Sequence, residues 1–150
     1  MSLETFSKRI NELMEEESVS ARALAESIGV QRKSIFLWRN GRCYPKYDAL
    51  IKLAFYFETS AEYLLGLSDT SRQIVKSDGA VDCVKEFKTR LTKFVMENNY
   101  TRYRMAKLLG VGRTVFNRWL NKGAIPEVSN LIKLSLVMNE TIEYILGIED

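Results

Sequence analysis

The sequence predicts an all-α protein: two tandem five-helix units joined by a linker. Three observations carry this. Apolar residues recur at helical spacing along most of the chain, no stretch alternates long enough to make a convincing strand, and the chain repeats itself. Segment 6–67 aligns with segment 87–148 without a gap and gives 18 identities in 62 pairs. Roughly 4 are expected from ordinary residue usage. The identities include Phe6/Phe87, Gly29/Gly110, Trp38/Trp119, Pro45/Pro126, Tyr63/Tyr144 and Gly66/Gly147. Where identity fails, apolar class is kept, as at Ile10/Leu91, Leu13/Phe94, Leu24/Met105, Ile28/Leu109, Ile35/Phe116 and Phe57/Met138. The units read as 1–68 and 83–150, with 69–82 as linker. A single domain made of two fused halves is the alternative, because a unit of this length lies near the lower limit for independent folding.

The elements follow in order. A first helix carries Leu3, Phe6, Ile10, Leu13 and Met14 on one stripe, repeated by Val84, Phe87, Leu91, Phe94 and Val95. A second helix starts at Ser20 and at Thr101, both good N-caps. It carries Leu24, Ala25 and Ile28, matched by Met105, Ala106 and Leu109, and it ends at Gly29 and Gly110. Glycine there suits the left-handed backbone that commonly closes a helix. A third helix covers about 31–39 and 112–120. Proline-containing loops follow, and then a fourth helix over about 46–57 and 127–138. A short fifth helix is capped by Ser60 and Thr141 and ends at Gly66 and Gly147. The segment after the first unit is rich in Ser and Asp, and fully extended it spans roughly 50 Å.

Composition limits the function. The chain has 150 residues, 46% hydrophobic and 27% charged, as expected of a folded soluble protein. No apolar run reaches the length of a membrane span, and the start resembles no signal peptide, so the expectation is a cytoplasmic protein without a membrane partner. Histidine is absent, and Cys43 and Cys83 belong to no Cys-x-x-Cys pair. Two free thiols are expected, with no metal site and no cofactor. Without histidine, clustered carboxylates or a phosphate-cradling glycine loop, no acid–base pair or activated nucleophile assembles, so no enzyme is expected. The net charge is +3, unevenly spread: 1–70 sums to −1 and 84–150 to +4. The positive field that attracts a polyanion lies in the second half.

Two short helices joined by a tight glycine turn form a helix-turn-helix pattern. It reads SARALAESIGVQRKSIFLWRNGRCYP in the first unit and TRYRMAKLLGVGRTVFNRWLNKGAIP in the second. Both resemble the phage-repressor family of helix-turn-helix domains, the Cro/repressor-like or XRE type with its lambda-repressor-like fold. The matching features are Ser/Thr at the second helix start, small Ala25/Ala106, the Gly-Val turns, the buried Ile35/Phe116 and Trp38/Trp119, and the closing YLLG and YILG. The resemblance implies a DNA-binding transcription regulator, a repressor by analogy. Some positions depart from it: Arg39 and Leu120 stand where the family often has an acidic residue, Gly112 is a poor cap, and Gly41 and Gly123 are out of step.

Burying Ile35 and Trp38 turns the opposite face of the third helix outward. That face carries Gln31, Arg32, Lys33, Phe36 and Leu37 in the first unit, and Arg113, Thr114, Asn117 and Arg118 in the second. These are the expected base readers: Arg suits guanine, Asn adenine, and Thr or an apolar group the thymine methyl. Phosphate contacts are expected from the second helix start and the loop after the third helix. They are Ser20, Arg22, Arg39, Arg42 and Lys46, and Thr101, Arg102, Tyr103, Arg104, Asn121 and Lys122. Two units in one chain then read non-identical half-sites of duplex DNA. In the alternative reading the second unit binds DNA while the first, with apolar Phe36 and Leu37 and acidic Glu15, Glu16 and Glu17, docks a protein partner. Tyr56, Phe57, Tyr63 and Leu64 are candidates for a homodimer surface, with the unit's own core as the favoured place for them.

Overall fold

The computed structural model describes residues 2–75 and 81–150. It divides into two compact units, 1–74 and 75–150. Among the described residues all regular structure is helical.

The first unit contains α1 (Leu3–Glu16), α2 (Ala21–Ile28), α3 (Arg32–Arg39), α4 (Tyr47–Tyr56) and α5 (Ala61–Leu65). Serines start three of them: Ser2, Ser20 and Ser60 each accept a hydrogen bond from the backbone N–H three residues on. Such a cap satisfies one donor that the first turn leaves orphaned. Phe6, Ile10, Leu24, Ile35, Leu50, Leu53, Leu64 and Leu65 are fully buried. They come from all five helices, so no helix is an appendage. α1 packs on α3 and α5, α2 on α3 and α4, and α4 on α5.

The second unit contains α6 (Cys83–Glu97), α7 (Arg102–Leu109), α8 (Arg113–Lys122), α9 (Val128–Met138) and α10 (Ile142–Ile145). Asp82, Thr101 and Thr141 supply its side-chain caps. Its packing pairs are the same: α6 with α8 and α10, α7 with α8 and α9, and α9 with α10. The backbone repeats as closely as the sequence. Ser18, Gly29, Glu58 and Gly66 have positive φ, and so do their equivalents in the repeat, Asn99, Gly110, Asn139 and Gly147. The break in step comes after the third helix. There the left-handed glycine is Gly41 in one unit and Gly123 in the other, one position later in the repeat, and α8 runs on to Lys122.

An arginine closes each unit. Arg9, on α1, donates to the backbone carbonyls of Tyr63 and Ser68, and its guanidinium lies 4.3 Å from the centre of the Tyr63 ring. Arg90, on α6, does the same to Tyr144 and Glu149, 4.4 Å from the Tyr144 ring. Both side chains are 14% exposed. One side chain thus bridges the first helix to the chain beyond the last one, satisfying carbonyls that the short closing helix leaves over.

Two expectations need correction. The fourth helices start one residue later than expected, because Lys46 and Glu127 are the extended residues before the first turn. The segment after the first unit does not leave it at 69: Ser71 bonds to the buried Thr59 at 2.6 Å between hydroxyls, and Ile74 is buried. Residues 76–80 of the expected linker lie outside the described residues. Of the four residues weighed for a dimer surface, Phe57 and Leu64 fill the unit's own core, as favoured, and Tyr63 lies under Arg9, while Tyr56 is exposed.

Turn glycines and clasp arginines can both be tested. A Cβ on Gly29 meets nothing within 4 Å, whereas one on Gly147 falls 2.5 Å from Glu86 Cβ, and both residues have positive φ. Gly29→Ala therefore costs about 1 kcal/mol of backbone strain. Gly147→Ala adds overpacking and costs about 2 kcal/mol or more; urea denaturation of the two variants ranks them. Arg90→Met strands two carbonyls and costs about 2 kcal/mol. Arg90→Lys recovers little of it in the same measurement, since an ammonium lacks the planar group that stacks on Tyr144.

Candidate nucleic-acid interface

Each unit presents two short helices joined by a left-handed glycine turn, built by the same local rules. Gly29 ends α2 with φ 72°, and the Val30 N–H bonds to Ala25 O at 3.0 Å. Gly110 ends α7 with φ 67°, and Val111 repeats the bond to Ala106. Few residues but glycine adopt this conformation readily, and it swings the chain into the next helix within three residues. Ala25 and Ala106 are both 4% exposed. Their small side chains let the two helices of each motif approach closely.

The inward face of the third helix is apolar. Ile35 and Trp38 on α3, and Phe116, Trp119 and Leu120 on α8, are buried. Phe116 and Trp119 meet edge to face with ring centres 5.8 Å apart. The outward face follows by geometry. Gln31, Arg32, Lys33 and Phe36 are exposed in the first unit and Leu37 is half-buried. In the second, Arg113, Thr114 and Arg118 are exposed and Asn117 is half-buried. Gln31 and Gly112 are extended N-cap residues with no side-chain cap bond. The expected base readers of each unit thus share one helix and one face.

The expected phosphate residues divide into two groups. Arg42, Lys46, Tyr103, Asn121 and Lys122 are exposed. The others have partners within the fold. Ser20 and Thr101 use their hydroxyl oxygens as caps, accepting from the Ala23 and Arg104 N–H groups. Arg22 pairs with Glu26 at 3.3 Å, an exposed contact worth little. Arg39 turns toward α1: its Nε donates to Asn11 Oδ1 at 2.6 Å, and its carbonyl accepts from Ser7 and Asn11. Buried Leu120 takes that place in the second unit. Arg104 lies over Tyr100, 5.3 Å from the ring centre, and Tyr100 stacks on Phe94. Arg102 donates from Nη1 to Asn117 Oδ1 at 3.0 Å.

Asn11 and Tyr100 are therefore site-shaping residues that the sequence reading did not single out, and Phe94 was expected only as part of an apolar stripe. Tyr100 carried a usable signal. It directly precedes the N-cap Thr101, where an apolar residue often packs back on the first helical turns. Asn11 carried none, since its partner Arg39 sits on another helix, remote along the chain.

Around the start of the second helix the units differ in charge. Exposed Glu15, Glu16 and Glu17 precede α2, whose first turn is Ala21, Arg22 and Ala23. Met96, Glu97 and Asn98 precede α7, whose first turn is Arg102, Tyr103 and Arg104. The second unit alone pairs a positive helix start with arginines braced by neighbours.

Comparison with known proteins agrees with this geometry in the second unit. Residues 92–145 match the family model described as Helix-turn-helix. The match runs from within α6 through α10 and includes α7 and α8, the two helices of the motif. No curated protein and no solved structure matches the chain. Among the described residues no helix is long and apolar enough to cross a membrane.

The capping hydroxyls yield a test. Ser20→Ala and Thr101→Ala each remove a helix cap and lower the stability of their unit by about 1 kcal/mol. Calorimetry without DNA reads this directly. Unchanged melting would leave both hydroxyls available for phosphate.

Proposed function

We propose that this protein is a transcription regulator, of the repressor kind, that binds duplex DNA through two non-identical helix-turn-helix units in one chain. The observation that carries the reading is the matched helix-turn-helix of the second unit, whose outward face brings Arg113, Thr114, Asn117 and Arg118 together. The first unit supports it with the same capped helix, left-handed glycine and buried Ile35–Trp38 pair. Arg and Asn on a protruding helix face suit the major groove, where guanine and adenine offer bidentate partners. Exposed cations around the helix start and the following loop supply the phosphate contacts that set register. The reaction is binding alone. Occupancy of a promoter-proximal site blocks another protein from the same DNA, so no catalytic group is needed. The protein acts in the cytoplasm.

Covalent tandem duplication takes the place of dimerisation. The outward faces differ at most positions, so the two half-sites differ and the preferred site is not a palindrome. A second reading draws on Phe36, which is 48% exposed on the outward face of α3, and on the acidic end of α1. In that reading the first unit grips a protein partner and the second alone holds DNA.

Selection of bound duplexes from a random pool by the full chain tests both readings. The proposal expects a composite, asymmetric consensus, with affinity falling steeply as salt rises. Arg113→Ala and Arg118→Ala erase preferences in one half-site, and Arg32→Ala with Lys33→Ala in the other, each by about tenfold or more in affinity. If the Arg32/Lys33 variant keeps full affinity and an unchanged consensus, the second reading replaces the first. Absence of any selected sequence at low salt would reject both.

A further inference from the structure

The contact between Arg102 and Asn117 changes the role of an arginine at the start of α7. Read from sequence, a guanidinium at a helix N-terminus facing DNA is a phosphate contact. In the structure its Nη1 instead donates to Asn117 Oδ1 at 3.0 Å, across the two helices of the motif. Asn117 sits half-buried at the middle of α8, on the outward face between exposed Arg113 and Arg118. An amide on such a face can present either its oxygen or its nitrogen to a base edge. A donor fixed on the oxygen removes that freedom.

We propose that Arg102 is a positioning residue for Asn117, holding its amide so that Nδ2 donates to N7 and the second lone pair of Oδ1 accepts from the N6 amine of an adenine. This deepens the reading of the second unit as a DNA reader and rests on it. The chemistry balances without further groups, since an amide oxygen has two lone pairs and Arg102 takes one. Ordering a side chain before binding also removes a rotamer cost that the complex otherwise carries.

The first unit supports the pairing by its contrast. In the repeat, the positions equivalent to Arg102 and Asn117 are Ala21 and Phe36. Both polar partners are missing there together, although Arg32, Trp38 and the turn glycine are kept. A guanidinium that served phosphate alone would have no reason to vanish with the asparagine. Phe36, 48% exposed, has no polar edge to orient and needs no such donor.

The test uses the full chain and compares base preference with overall affinity. Binding-site selection is run with the wild type, Arg102→Ala, Asn117→Ala and the double variant, each at two salt concentrations. The wild type is expected to favour adenine at one position of the second unit's half-site by roughly 10- to 100-fold. Arg102→Ala and Asn117→Ala both reduce that preference to within about threefold and leave the other positions of the consensus unchanged. The double variant is no worse at that position than Asn117→Ala alone, as expected of two residues acting as one. A phosphate contact predicts something else for Arg102→Ala: affinity drops alike for all sequences, the salt slope falls by about one, and the adenine preference survives. That result overturns the inference while leaving the DNA-reading role intact. If Asn117→Ala also leaves the consensus untouched, Asn117 is no base reader and the positioning inference is overturned, while the reading of the second unit is decided separately by Arg113→Ala and Arg118→Ala. Arg102 is exposed, so its loss is not expected to unfold the unit, and thermal melting of each variant confirms that folded protein is compared.

Discussion

Burial of one face of the third helix in each unit sets what the opposite face can do. Ile35 with Trp38, and Phe116 with Trp119, have almost no exposure. Burying side chains of this size contributes about 2 kcal/mol or more apiece. An exposed ion pair such as Arg22–Glu26 contributes about 1 kcal/mol at most. The core therefore decides the rotation of the helix about its own axis, and no surface contact competes with it. Once that rotation is set, residues 32, 33 and 36 of the first unit and 113, 114 and 118 of the second have nowhere to go but outward. The left-handed glycine before the helix turns it from the preceding one, and the small buried alanine on that preceding helix leaves room for close packing.

Such a scaffold separates what must be kept from what is free to change. The buried pairs, the two turn glycines and the Arg–Tyr clasp recur at equivalent positions of the two units. The surfaces do not. Where the first unit ties α3 to α1 through Asn11 and Arg39, the second buries Leu120. A polar latch to the first helix thus stands at one position of the repeat and a buried apolar side chain at the other. That exchange, together with a turn glycine one position later, leaves α8 longer than α3. On the outward face the differences are chemical: apolar Phe36 and Leu37 stand opposite Asn117 and Arg118 in the repeat.

Much of this was legible in the sequence because it depends on local rules. Ser20, Thr101, Ser60 and Thr141 are caps where helix-start chemistry puts them, and Gly29, Gly110 and Gly66 close helices as glycine does. The family resemblance placed Ile35, Trp38, Phe116 and Trp119 inward, and they are buried. The losses share one physical cause, dependence on partners remote in sequence. Arg9 and Arg90 look like surface cations until carbonyls 54 and 59 residues away are brought to them. The contacts of Arg39 with Asn11 and of Arg102 with Asn117 likewise join different helices. Ser18, Glu58, Asn99 and Asn139 adopt left-handed backbone without being glycine, and only the repeat of those φ values at equivalent places marks them as part of the design.

Charge adds a kinetic consequence to the proposed binding mode. The second unit carries most of the net positive charge, and the first is slightly acidic with Glu15, Glu16 and Glu17 clustered near its helix start. Long-range attraction to a polyanion acts first on the second unit, because the Debye length of about 8 Å at physiological salt screens anything farther off. Once that unit is held, the first no longer needs to find DNA from solution. It meets the duplex at the local concentration set by the connecting segment rather than by the bulk. A weakly attracted unit can then contribute sequence preference without contributing much affinity of its own. It also resists binding alone at unrelated sites, since its acidic helix start opposes the non-specific contacts on which such binding depends. In the proposed binding mode the asymmetry between the two copies therefore favours discrimination: one unit would supply the attraction, and the other would approve or reject the neighbouring sequence.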